Sequence, residues 1–423
     1  MKNLIPALIF IGILIVVDLY TFKSLRLLTS PISKTGIRTF FHMLHWAASL
    51  ATYSLVIYAF LNFNRQSMAK EKYFIFFMGF SVVLLFIMPK IIVVFFHLFD
   101  DLIHGLRYLA QIITSSPNPA DGGRAGITRW QFINRTGWVL AALPFVGILY
   151  GILRGRFDFR IERHEILSNQ WPDGENSLRI VQISDMHIGS FFDNHAAVLE
   201  GIEKVNALEP DIICFTGDMV NNFANELDGW EPIISQLKAK YGKFSILGNH
   251  DYGDYVQWSS AAVRNKNLDD LKRRHEEMGF RLLLNEKVDF ALPSGKKIEI
   301  IGIENWGLGG FSQYGDLAKA TAKSDPTNFQ LLLSHDPSHW DAEVLDKTSI
   351  NLSLAGHTHG MQFGVEIPGI IKWSPVKYRY PRWAGLYQKG NQHLHVNRGF
   401  GYIGFAGRVG MRPEISLLEL KKG

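Results

Sequence analysis

Four long apolar runs occupy residues 1–153, and they limit the fold of this chain more than any other feature. The first, "LIPALIFIGILIVVDLYTF", covers 4–22 with one charged residue. Others cover about 39–62, about 73–99 and about 137–153. A helix needs about 20 apolar residues to cross the hydrocarbon core, so each run predicts a spanning helix. No clear small-residue cleavage site follows the first run, which therefore reads as an anchor. Pro89-Lys90 interrupts the third run, and a fifth helix through Ile113 would follow if the chain broke there. Asp100, Asp101, His104 and Arg107 make that stretch read as interfacial instead. Asp18, His42, His45 and His97 are polar positions inside the runs. Each reads as a packing or interface residue, because no spacing among them indicates a haem or a proton relay.

The net charge is +5 and the only cysteine is Cys214, which excludes an internal disulfide and a thiolate metal cluster. Cys214 sits in the apolar run "DIICFTG" and reads as a core residue. No sustained basic stripe is present, so nucleic acid is not an expected partner. Basic residues gather near the ends of the apolar runs, where membrane lipid head groups would meet them. Lys and Arg are nearly balanced between alternate loops, so the positive-inside count leaves orientation open. "TRWQFINRTGWVLAALPF" resembles a twin-arginine export signal with Trp130 in place of the second arginine. The expectation is a multi-pass protein of the cell (inner) membrane with its C-terminal domain on the outer, periplasmic face. Residues 115–127, "SSPNPADGGRAGI", read as a loop before the last span.

The pattern then changes, and we divide the chain into a membrane region, 1–153, and a globular domain, 154–423. Short β-branched runs at 178–184, 211–216, 243–247, 297–303, 328–334 and 349–355 predict strands. A helix is expected after the N-cap candidate Asn194, and another over about 262–278, closed by Gly279. Strands apolar on both faces, alternating with helices, predict an α/β sandwich.

Five polar blocks follow those strands. They are "SDMHIG" with Asp185 and His187, "TGDMVNN" with Asp218, "LGNHD" with Asn249, His250 and Asp251, "LSHDP" with His335, and "AGHTHG" with His357 and His359. The carboxyl ends of strands are where α/β sheets hold ligands. Carboxylate, imidazole and amide oxygen without thiolate suit manganese, iron or zinc. In extended chain, residues two apart project to one side, so Asp185 and His187 reach a common site, as do His357 and His359. Gly189, Gly217, Gly248, Gly356 and Gly360 beside the blocks permit tight turns and close backbone approach.

With these five blocks, residues 175–420 resemble the calcineurin-like metallophosphoesterase superfamily, in its membrane-anchored bacterial form. The resemblance implies a two-sheet β-sandwich flanked by helices, here preceded by an α-helical transmembrane region. It implies two divalent metal ions. Asp185, His187, Asp218 and His359 would hold the first, and Asp218 would bridge to a second completed by Asn249, His335 and His357. His250 would contact the phosphate as an acid, with Asp251 orienting it. Two divalent ions outweigh the negative charge of Asp185, Asp218 and a bridging hydroxide, so such a site attracts phosphate. Paired ions about 3.5–4 Å apart generate hydroxide near neutral pH and clamp both the attacking and leaving oxygens. Met361 stands where many relatives have glycine, and Asn221 and Asn222 where some carry an acid.

These features predict a phosphohydrolase cleaving a phosphoester or pyrophosphate. A lipid-linked substrate is one option, and lipid A precursor pyrophosphatases among bacterial relatives make a UDP-diacylglucosamine-type molecule an example of it. A tethered nucleotide or cyclic-nucleotide phosphodiesterase is an alternative, as is a non-catalytic metal-binding receptor module. "PGIIKWSPVKYRYPRWAGLY", 368–387, interleaves aromatic and basic residues as a lipid-facing loop would, although a solvated loop fits equally. Arg398 and Arg412 are candidates for phosphate contact or for salt bridges. Oligomeric state is left open.

Overall fold

All four apolar runs are helical in the computed structural model, which describes residues 4–62, 70–114, 128–367 and 369–423. They are α1 (Leu4–Thr29), α2 (Thr35–Asn62), α3 (Lys70–Thr114) and α4 (Arg129–Leu153), each apolar and long enough to cross a membrane. Helix is the local solution because lipid offers no partner for backbone N–H and C=O groups. The chain does not break at Pro89, so there is no fifth span among the described residues: α3 continues through it, 45 residues in all. At 1.5 Å per residue it extends about 68 Å, over twice the hydrocarbon thickness, so 100–113 prolongs the third helix. The loop expected at 115–127 lies outside the described residues.

The chain forms two compact units. The first comprises residues 1–63 and 78–150. Several of its buried polar side chains are paired among the helices. Lys90 Nζ lies 2.5 Å from Asp18 Oδ1 and donates to Ser49 Oγ at 2.9 Å. Tyr53 also donates to Asp18. His42 Nε2 is 3.0 Å from Thr29 Oγ1, and Asn134 and Trp138 both donate to Ser24 Oγ at 2.9 Å. An unpaired charge here would be costly, so Asp18 needs its lysine.

The second unit comprises residues 64–77 and 151–423. One six-stranded sheet has the order β1-β14-β2-β3-β4-β5. These strands are β1 (Arg160–Ser168), β2 (Leu178–Ile183), β3 (Ile212–Phe215), β4 (Gly242–Ser245), β5 (Phe280–Leu282) and β14 (Glu414–Lys422). The other sheet has the order β12-β13-β9-β8-β7-β6. It is built from β6 (Glu286–Ala291), β7 (Lys297–Gly302), β8 (Phe329–Leu333), β9 (Leu352–Ala355), β12 (Gly385–Lys389) and β13 (Gln392–Val396). A separate hairpin joins β10 (Val365–Ile367) to β11 (Ile371–Trp373). Ile180, Ile212, Cys214, Ile300, Leu331, Leu352 and Leu418 share one buried cluster, drawn from both sheets. The helices are α5 (His195–Asn206), α6 (Glu231–Ile234), α7 (Ala261–Glu277) and α8 (Leu317–Thr321). Asn194 caps α5 by accepting from Ala197 N, and Gly279, at φ +83°, ends α7.

His275 on α7 is fully buried, with Nδ1 3.1 Å from Ser245 Oγ. Burial pulls its imidazole down to about 4 from 6.5. The unfolded chain thus binds the extra proton first, and stability falls as pH drops from 6.5 towards 4. Between about pH 7 and about pH 5 this costs about 2 kcal/mol. His275→Gln should flatten the pH dependence of the thermal midpoint over that range. An unchanged slope would refute the assignment.

Candidate metal centre

The predicted residues lie just beyond five strands at one end of the two sheets. Asp185 and His187 follow β2, Asp218 follows β3, Asn249, His250 and Asp251 follow β4, His335 follows β8, and His357 and His359 follow β9. The chain must turn sharply there while keeping its side chains inward. Asp185, His187, Asp218, His357 and His359 consequently all have positive φ, between 45° and 71°. This conformation is uncommon for residues with a side chain and concentrates at functional sites.

Two donor groups converge, one of Asp185, His187 and His359, the other of Asp218, His335 and His357. In the first, His187 Nε2 and His359 Nε2 are 3.1 Å apart, and Asp185 Oδ1 is 3.2 Å from His359 Nε2. In the second, Asn249 Oδ1 lies 3.0 Å from His335 Nε2 and 2.8 Å from His357 Nδ1. Asp218 Oδ2 faces both, at 3.5 Å from His187 Nε2 and 3.2 Å from His335 Nε2.

This donor set fits divalent cations. His335 Nδ1 donates to Thr216 O at 2.7 Å, which leaves Nε2 as the atom turned towards Asp218 and Asn249. Burial opposes a second proton there, yet facing Asp218 the imidazole is pushed up to about 10. A cation held at Nε2 would take the place of that second proton. His357 uses Nε2 outward, 2.8 Å from Tyr380 Oη and 3.5 Å from Asp336 Oδ2, and keeps Nδ1 for the centre. Outer contacts of this kind set ring orientation and tautomer.

His250 is only partly buried, and its ring stands edge to face with His187, centroids 4.9 Å apart. Its backbone N–H donates to Asp218 Oδ1 and its Nδ1 to Asn221 O, both at 2.8 Å. The expectation that Asp251 orients this imidazole is corrected. The Asp251 carboxylate accepts four backbone N–H groups, from Asp218, Met219, Val220 and Gly248, at 2.8–3.2 Å. It therefore shapes the turn that carries Asp218. Glu226 does similar work, accepting from the N–H groups of Asn221, Asn222 and Phe223.

Tyr380, Asp336, Tyr255 and Arg408 also border the centre and were not singled out as site residues. Asp336 adjoins His335 in "LSHDP" and was the most readable of them. Tyr255 Oη accepts from Asn249 Nδ2 at 2.7 Å. The buried Arg408 donates to the carbonyls of Arg398 and Gly399, with Nη2 3.3 Å from His359 Nδ1. Arg398 is held by Glu162, Glu366 and Glu414 at 3.0–3.2 Å, and Arg412 by Asp158 at 2.5 Å, so both make salt bridges.

Gly356 has a steric role. A Cβ there would stand 2.2 Å from Asp185 Oδ2 and 2.0 Å from Ser184 Oγ. Gly356→Ala should displace Asp185, lower metal content and cut turnover by about 10²-fold, the cost of a misplacement near 1 Å. Full metal content with unaltered turnover would show that the close approach is dispensable.

Residues 1–156 match the family model described as "Probable Calcineurin-like phosphoesterase, transmembrane domain", and residues 178–361 match that of the calcineurin-like phosphoesterases. The chain is 33% identical over 307 residues to "Uncharacterized metallophosphoesterase YkuE" of Bacillus subtilis (strain 168), covering 70% of this chain and 98% of that protein. It is 26% identical over 303 residues to "Phosphodiesterase YaeI" of Escherichia coli (strain K12), covering 70% and 99%. A "Transmembrane protein with metallophosphoesterase domain" of Bos taurus is 29% identical over 264 residues, covering 61% and 56%.

Proposed function

We propose, for a chain that belongs to the calcineurin-like metallophosphoesterase family, that its two donor groups form one dinuclear centre hydrolysing a lipid-linked phosphoester or pyrophosphate. Membership makes it a metal-dependent phosphoesterase with a phosphorylated substrate, and its apolar helices make it a membrane protein. The observation that carries the dinuclear reading is Asp218 Oδ2, which faces a histidine of each group. We assign Asp185, His187, Asp218 and His359 to one ion, and Asp218, Asn249, His335 and His357 to the other. Manganese, iron or zinc suits these ligands. Paired divalent ions acidify water and neutralise phosphoryl charge.

The chain's own residues do the rest. Asp251 and Glu226 hold the Asp218 turn through backbone amides, so the carboxylate is preset. Asn221 O fixes Nδ1 of His250, leaving Nε2 as its proton-exchanging atom. In its imidazolium form, which burial disfavours, His250 would give the Nε2 proton to the leaving oxygen and regain one from solvent. Tyr380 and Asp336 keep His357 turned inward.

We place the domain boundary at 153/154, supported by the end of α4 at Leu153. We place the protein in the cell (inner) membrane with the catalytic domain on its periplasmic face, supported by the twin-arginine-like stretch before α4. The test of function is hydrolysis, with manganese, of lipid and nucleotide phosphoesters by the full chain, with His250→Ala as control. Turnover of lipid phosphoesters is expected; turnover of water-soluble nucleotides alone sinks the lipid reading.

A further inference from the structure

The β10–β11 hairpin is inside out for a protein surface in water. Its register pairs Val365 with Trp373, Glu366 with Lys372, and Ile367 with Ile371. Paired residues share a face and successive ones alternate, so Val365, Ile367, Ile371 and Trp373 lie on one face. Glu366 and Lys372 lie on the other. An antiparallel pair in water puts its apolar face on the core and its charges outward. Here both charges are tied back to the domain, Glu366 half-buried and Lys372 exposed but bonded at its tip. Glu366 accepts from Arg398 at 3.0 Å and from Arg160 at 3.4 Å. Lys372 Nζ donates to Ala384 O at 2.7 Å. The apolar face is left open: Val365 is 45% exposed, Ile367 48%, Ile371 44%, and Ile370 at the turn 80%. A one-residue slip would reverse the faces, and the anchored charges prevent it.

The hairpin also has a defined root. Gly364 N donates to Val409 O at 2.9 Å, and Val409 N to Gln362 O at 2.8 Å. Arg408 N donates to Gly151 O at 3.2 Å, and Gly151 belongs to the last turn of α4. These contacts are all within the second unit, which resumes at Gly151. The base of the hairpin is therefore two short steps from the end of a membrane-spanning helix. Its other end returns to the metal loop, where Ser374 Oγ donates to Gly360 O at 2.7 Å, next to His359.

We infer that the β10–β11 hairpin docks on the surface of a lipid bilayer, with Ile370 and the Val365–Ile367–Ile371 face in the boundary between head groups and acyl chains. Apolar elements of this kind enter to a depth of about 5–10 Å. The exposed Tyr378, with Lys377 Nζ 5.3 Å from its ring centroid, is the aromatic-basic pairing found at that boundary. The partner is lipid because the root lies at the end of a helix that itself requires a membrane. Resting on the phosphoesterase reading, this makes the substrate class an amphiphilic phosphoester presented from the bilayer surface beside His357 and His359.

The test places one fluorophore on the full chain. Cys214 is fully buried, and burial pushes its thiol up, so it resists labelling. Ile370→Cys is labelled with an environment-sensitive dye and the protein reconstituted in vesicles of phosphatidylcholine and phosphatidylglycerol. A label at Ser294→Cys, in the exposed turn between β6 and β7, is the reference. The expected result is blue-shifted emission at 370, quenched several-fold more than at 294 by a lipid spin-labelled high on its acyl chain. Equal quenching, with open access to iodide, overturns the inference. Protection from iodide without lipid quenching also overturns it, because a second copy or another protein would then cover the face. The dye reports position whether or not the protein hydrolyses anything, so failure here is separable from failure of the phosphoesterase reading.

Discussion

Asp218→Ala should yield protein that purifies with fewer than two metal ions and turns over an aryl phosphodiester about 10⁴-fold more slowly, equivalent to about 5 kcal/mol of lost transition-state stabilisation. The size follows from its position. Asp218 is almost wholly buried, and its Oδ2 faces His187 and His335. Its Oδ1 accepts the His250 N–H. Truncation thus removes negative charge from both cation groups and frees the backbone of the proton-exchanging residue. Metal analysis beside steady-state kinetics checks it. Two bound ions with undiminished turnover would remove Asp218 from the bridging position.

His250→Gln should separate chemistry from metal binding. Its side chain makes a hydrogen bond to Asn221 O and is absent from both cation groups. Metal content is therefore expected to stay at two ions while kcat falls by about 10²–10⁴-fold, the usual contribution of a positioned proton donor. KM should move little, because the loss is in the transition state. The deficit should shrink for a substrate whose leaving group is acidic enough to depart unprotonated. A uniform deficit across leaving groups, or loss of metal, would argue that His250 only props the site.

Most of the central strands were readable because their residues are buried on both faces. Ile212, Ile213, Cys214 and Phe215 of β3 have no exposed surface, and such runs stand out against any polar background. β1, "RIERHEILS", was not readable: charges interrupt it, and only Ile166 and Ser168 are buried. Its pairing with β14 depends on a segment more than two hundred residues away, along the register Arg160↔Glu414. The donor residues were readable because each follows such a strand. The role of Asp251 was not, since backbone amides leave no trace in composition and its partners at Asp218, Met219 and Val220 lie beyond β4 and α6 in the chain.

By itself the sequence determined what depends on neighbours along the chain: four apolar helices, six central strands, and the donor types that follow them. Length, hydropathy and side-chain chemistry are local properties, and the spans and strand ends are built from them. Tertiary structure alone decided what depends on residues remote in sequence. It paired Asp18 with Lys90, turned Asp251 to amides instead of His250, and set Tyr380 against His357. It also turned Glu366 towards Arg398, leaving Ile367, Ile370 and Ile371 outward. Those outcomes follow from strand register and packing direction, which are set only when the elements meet in space.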